Sequence, residues 1–141
     1  MQLTCIQMQR AEIIRIARTW LGVPFLHQGR SRDGVDCGGL LIVVGREAGV
    51  EILEPLTYSM SPDPAVIRAP LEMHCAVIPV ADALPGDVLW LSFAGEPRHV
   101  AIVSDIGMIH AWAGPGKVVE HRIDATWQRR IRAAYRPRGV V

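Results

Sequence analysis

The chain has 141 residues, 50% hydrophobic and 21% charged, with a formal net charge of +1. That length suits one domain, 1–141, with a proper hydrophobic core, and the composition excludes a disordered chain. A near-neutral charge gives no overall drive toward nucleic acid, and three cysteines (Cys5, Cys37, Cys75) without tight spacing argue against a disulfide framework or a zinc knuckle.

The opening stretch MQLTCIQMQRAEIIRIARTW lacks the charged flank, apolar run and cleavage site of a signal peptide. The expectation is synthesis in the cytoplasm without an export signal. No apolar run is long enough to cross a bilayer, so no membrane insertion is expected. RAEIIRIARTWLG places Ile13, Ile14, Ala17 and Leu21 at helical spacing, with Gly22 as a stop. VPFLHQGRSRDGVD reads as a loop punctuated by Pro and Gly. CGGLLIVVGREAGV follows, apolar nearly all round, with Asp36 as N-cap: a buried helix carrying Cys37 in its first turn. EPLTYSMSPDP reads as a loop, and AVIRAPLEMHCAV as a helix interrupted by Pro70.

After ALPGD the pattern changes to short β-rich segments: DVLWLSF, RHVAIVS, GMIHAWA, KVVEHRI and RIRAAYR, separated by the turn signals AGEP, SDIG and AGPG. Helices followed by a strand meander predict an α+β domain. Charge is unevenly placed along it. Residues 33–96 carry ten acids and two bases, whereas 117–138 carry seven bases and two acids. The basic end is either a solvated face or a docking surface for an acidic partner or an anionic polymer.

Chemistry concentrates at Cys37, His99 and His110. If Asp105 and Ile106 form a two-residue hairpin loop, Ser104 pairs with Gly107 and Ala101 faces His110. Side chains alternate, so His99, Ala101 and Val103 share a face with His110 and Trp112, and the two histidines become diagonal neighbours. A three-residue loop would reverse that parity. A cysteine at a helix N-terminus meets the positive end of the dipole and unpaired N–H groups, which favour thiolate. A neighbouring imidazole can take and return its proton, and a second polar group can orient that imidazole. Gly38 and Gly39 keep the site clear for a developing oxyanion. Taken singly, each of these residues is more often structural. A Cys/His metal site is the weaker alternative, because four-ligand spacings are missing.

LGVPFLHQGRSRDGVDCGGLL resembles the NlpC/P60 signature, in which a Gly-x-Pro-Tyr segment leads through a Gly-rich loop to Asp-Cys-Ser-Gly-Leu. PGDVLWL, RHVAIVSDIGMIHAW and RIRAAYRP are similar to its strand half, so the resemblance spans roughly residues 10–137. Within the family the chain is most similar to compact cell-wall peptidases of phage tails and gene transfer agents, HQGR included. The resemblance implies a papain-like fold, helices packed on a small antiparallel sheet, and a cysteine peptidase needing no cofactor or metal. Its substrate would be a peptidoglycan stem peptide, cut between D-glutamate and the diamino acid, and its partners would be tail-tip or hub proteins of the particle that carries it.

By the same resemblance Cys37 is the nucleophile, His99 the base and His110 the third polar residue. Asp36 matches an acidic residue that helps recognise a substrate amine, with a plain N-cap as the equal alternative. Two positions depart from the family. Phe25 stands where a tyrosine is usual and Gly38 where a serine is usual, so two substrate contacts are altered. His27 either fills part of that space or is an ordinary loop histidine. Trp112 is a core residue that can also line the cleft. The altered positions leave a second expectation open: a structural tail-tip component with the same fold and little hydrolysis.

Overall fold

The computed structural model describes residues 5–50, 52 and 65–140. The loop expected over 54–64 and the side chain of Cys5 lie outside that description. In chain order the elements are α1 (Cys5–Arg18), β1 (Arg30–Ser31), β2 (Gly34–Val35), α2 (Cys37–Ala48), α3 (Ala65–His74) and β3 (Cys75–Ile78). A 3-10 turn (Val80–Asp82) leads to β4 (Val88–Phe93), β5 (Glu96–Val103), β6 (Met108–Trp112), β7 (Lys117–His121), α4 (Ala125–Gln128) and β8 (Ile131–Pro137). Six strands form one antiparallel sheet in the order β3-β8-β4-β5-β6-β7, and β1 and β2 make a separate small hairpin.

The hydrophobic pattern explains the layers. Residues Cys37 to Gly45 of α2 are all buried, as an all-round apolar helix requires. α1 turns Ile13, Ile14, Ile16 and Ala17 into the same core. Strand alternation then divides the sheet into two faces. Val88, Val100, Ile102, Ile109, Ala111, Val118 and Tyr135 pack with the helices. Leu89, Leu91, Ala101, Val103, Met108 and Ala134 form a second cluster with Phe93, Ile123, Trp127 and Ile131. A buried carboxylate braces the layers: Asp87 takes Arg10 from α1 at 3.1 Å and Arg136 from β8 at 2.9 Å.

Three local expectations change. The helix over 65–74 runs through Pro70 as one element, with fully buried Leu71 anchoring the turn behind the proline. That helix ends at His74, and the last residues assigned to it, Cys75 to Val77, belong to β3. There Cys75 pairs with Pro137 and Val77 with Tyr135, contacts about sixty residues away in sequence that no local pattern announces. The short helix α4, capped by Asp124, was not expected at all.

The sheet splits where the chemistry lies. β5 and β6 pair only at Ile102–Ile109 and Val103–Met108. β5 nevertheless stays paired with β4 back to Glu96, and β6 with β7 out to Trp112. The first half of β5 therefore has one backbone edge released by β6. The segment 22–25 runs beside β7, with Val118 N donating to Val23 O (2.9 Å) and Phe25 N to Gly116 O (2.8 Å), and leads the chain to α2.

Candidate active site

α2 brings its N-terminus to that split. The Asp36 carboxylate caps the helix, accepting from Gly39 N at 2.7 Å through one oxygen and from Gln28 N at 2.7 Å through the other. One residue thus fixes the first turn and ties it to the preceding loop. The approach is close enough to require glycine. A Cβ on Gly39 would sit 2.2 Å from the Gly29 carbonyl oxygen, and one on Gly29 would sit 2.4 Å from Gly34 O. Gln28 itself adopts a left-handed φ of 59° to make the turn.

Cys37, 9% exposed, lies against the released edge of β5. Its thiol donates to Arg98 O at 3.8 Å, and Val100 N–H points back at the sulphur. Those two groups flank His99 on the strand, so the sulphur sits over the His99 backbone. His99 is fully buried, and its Nε2 meets His110 Nδ1 at 2.6 Å. Its other nitrogen, Nδ1, has no hydrogen-bond partner among the described residues, and the Glu96 carboxylate stands 3.9 Å from it.

The line continues. His110 Nε2 meets His121 Nε2 at 2.7 Å, and His121 Nδ1 meets the Arg122 carbonyl at 2.8 Å. The three rings run diagonally across β5, β6 and β7, bonded ring to ring rather than converging on a point. Aromatic side chains enclose them. Trp112 stacks on His110 (centroids 5.8 Å, interplanar 9°), and Trp127 stands edge-on to His110 at 5.2 Å. Phe93 meets His99 at 5.4 Å.

Burial decides the resting protonation. It pushes the Cys37 thiol up to about 12, with the Asp36 carboxylate adding to the effect; the N–H groups of Val100 and Gly38 pull the other way. It also pulls His99 down to about 3 and His110 down to about 2, with His121 adding to the first and His99 and His121 to the second. The thiolate expected from the helix N-terminus is therefore not the resting form: desolvation outweighs the dipole, and the pair rests as thiol and neutral imidazole.

His99 and His110 meet as the hairpin register required, with Ser104 N donating to Gly107 O at 2.9 Å and closing the two-residue loop, and Cys37 lies against the backbone on either side of His99. Gly38 is buried with its N–H directed at the Cys37 sulphur. Phe25 is half-buried against the helix-side core, and Trp112 lines the histidine face. His27 is 45% exposed, with Nδ1 3.8 Å from Asp36. Sequence reasoning missed Glu96 and His121. The signal for His121 was present: it follows His110 by 11 residues, as His110 follows His99. Counting β7 back through the Ala113–Gly116 turn places it on the same face, with Met108 opposite His121.

The NlpC/P60 family model matches residues 22–136, which takes in the Asp36–Cys37 turn and the histidine strands. The chain belongs to the NlpC/P60 family. The crystal structure of the NlpC/p60 domain of the peptidoglycan hydrolase SagA is 26% identical with a TM-score of 0.67, over 89% of this chain and 96% of that one. The peptidoglycan hydrolase RipB of Mycobacterium tuberculosis is 19% identical with a TM-score of 0.69, over 96% of this chain and 67% of that one. An NlpC/P60 family protein of Bacillus cereus is likewise 19% identical with a TM-score of 0.69, but this chain spans only 40% of its length. A comparison with curated proteins returned no match. The helices on an antiparallel sheet are those of NlpC/P60 domains, in agreement with the fold expected from sequence. No helix among the described residues is long and apolar enough to cross a membrane.

Proposed function

We propose that this NlpC/P60 chain is a cysteine endopeptidase that hydrolyses peptidoglycan stem peptides at the D-glutamyl–diamino acid bond. The observation that carries the reading is the position of Cys37: at a helix N-terminus, over the backbone of His99, whose ring is held by His110 at 2.6 Å. The likeness to the SagA domain supports the choice of substrate class. In this reading the thiol passes its proton to His99 Nδ1 as sulphur attacks the scissile carbonyl. First-turn N–H groups of α2 stabilise the oxyanion, and His99 returns the proton to the leaving amine. Water then hydrolyses the thioester by the same route. Glu96, beside His99, balances the transient imidazolium. His27, partly exposed beside Asp36, forms the polar side of the substrate site, while the buried Asp36 serves as the helix cap.

The finer reading places the enzyme on the tail of a phage-like particle, where it breaches the wall during entry. It rests on the likeness of HQGR and its surroundings to tail peptidases, and on the basic C-terminal segment 117–138. Arg136 is committed to Asp87 and Arg130 lies over Phe93 and Trp127, whereas Lys117, Arg122, Arg129 and Arg132 are exposed and available to an acidic hub protein. Phe25 and Gly38 favour a second reading, a hub component of the same fold that no longer cuts.

Digestion of purified peptidoglycan with wild type and Cys37→Ala, followed by mass spectrometry of the fragments, separates these readings. The enzyme reading expects new amino-terminal diamino acid fragments with wild type alone; no fragments from either protein would favour the hub. Proteomics of intact particles against soluble lysate tests the tail assignment, which a protein confined to the lysate would refute.

A further inference from the structure

We propose that His121 is a positioning residue: together with the Arg122 carbonyl, it sets the tautomers of His110 and His99 so that His99 presents an unprotonated Nδ1. The inference follows from donor and acceptor roles along the line. A carbonyl oxygen only accepts, so His121 Nδ1, 2.8 Å from Arg122 O, carries the proton. The neutral ring then offers Nε2 as an acceptor. His110 Nε2, 2.7 Å away, must donate to it, which leaves His110 Nδ1 with a lone pair. His99 Nε2, 2.6 Å from that lone pair, must donate in turn. What remains on His99 is Nδ1 without a proton, the nitrogen that has no hydrogen-bond partner among the described residues. The reversed set of tautomers would set a lone pair of His121 against the carbonyl oxygen and put an N–H on His99 Nδ1.

His110 alone cannot make this choice. A neutral imidazole holds its single proton on either nitrogen, and His110 with no partner at Nε2 can donate from Nδ1 into His99, which produces the inactive tautomer. An outward anchor is needed, and the structure supplies it on the next strand. Trp127 holds the His121 ring in place, with centroids 5.0 Å apart. This inference rests on reading His99 as the base. A wild-type chain that cleaves no stem peptide would overturn that reading, while the ring tautomers are observed without any substrate.

The experiment is two-bond 15N–1H correlation of the histidine side chains near neutral pH, on wild type, His121→Leu and His121→Gln. The wild type should show His99 and His110 protonated at Nε2 and His121 at Nδ1. His121→Leu should mix or reverse the His99 and His110 tautomers and lower kcat roughly tenfold to a hundredfold, with KM little changed. His121→Gln, whose amide oxygen can accept from His110 Nε2, should restore the wild-type tautomers and most of kcat. If His99 of the wild type is protonated at Nδ1, the inference is wrong without recourse to any variant. It is also wrong if a folded His121→Leu keeps both the tautomers and the turnover.

Discussion

Desolvation sets the reactivity of the two thiols described, and it does not separate them. Burial pushes Cys37 and Cys75 alike up to about 12. Their surroundings differ. Cys75 donates to Ile52 O at 3.3 Å inside the helix-side core, 1% exposed, with no imidazole line beside it. Cys37 sits at the open split of the sheet over His99. Iodoacetamide near neutral pH should therefore label Cys37 well before Cys75, and His99→Ala should slow Cys37 labelling several-fold by removing the proton acceptor. Peptide mapping of the alkylated protein measures both. Equal labelling of the two cysteines, or a Cys37 rate indifferent to His99, would contradict the assignment of nucleophile and base.

The turn that delivers Cys37 depends on glycine as much as on the Asp36 cap. Gly39→Ala would place a Cβ 2.2 Å from the Gly29 carbonyl oxygen, a backbone atom that cannot rotate away. Either α2 or the 26–30 loop must shift, at an expected cost of about 1–3 kcal/mol. The shift moves the first turn carrying Cys37, so turnover should fall with every polar group of the site still present. Urea unfolding and kcat, measured together, test this; wild-type values for both would show that the close approach is unimportant. Much at this scale was legible in the sequence. Asp36 before an apolar run named the capped, buried helix, and period-two alternation placed His99 and His110 on one face. The resting thiol was not legible, because the dipole is a local property whereas desolvation depends on how the tertiary fold covers the sulphur. β3 and its pairing with β8 were hidden for a similar reason: a partner strand distant in sequence leaves no periodic trace in AVIRAPLEMHCAV.

Across the whole molecule, the buried histidines tie the fold to pH. His99 and His110 are held near 3 and 2, against an ordinary value of 6.5. Below 6.5 the unfolded chain takes up protons that the folded chain refuses, so stability rises with pH between about 3 and 6.5 and is lost as pH falls through that window. Each histidine contributes a slope of at most about 1.4 kcal/mol per pH unit. His110→Asn keeps an acceptor for His99 Nε2–H and removes one titrating ring. Its stability should therefore fall less steeply than that of wild type from pH 6.5 to 4.5, as read from urea midpoints. Identical slopes would mean that His110 is protonated without unfolding.

The central claim is that Cys37 forms a covalent acyl intermediate with a wall peptide, and intact-protein mass spectrometry of an acid-quenched reaction addresses it most directly. Wild type mixed with a stem peptide for a few turnovers should carry the mass of the amino-terminal fragment, and peptide mapping should place it on Cys37. Cys37→Ala should carry none. Peptide hydrolysis that continues in Cys37→Ala, or an adduct mapped to any residue other than Cys37, would contradict the account.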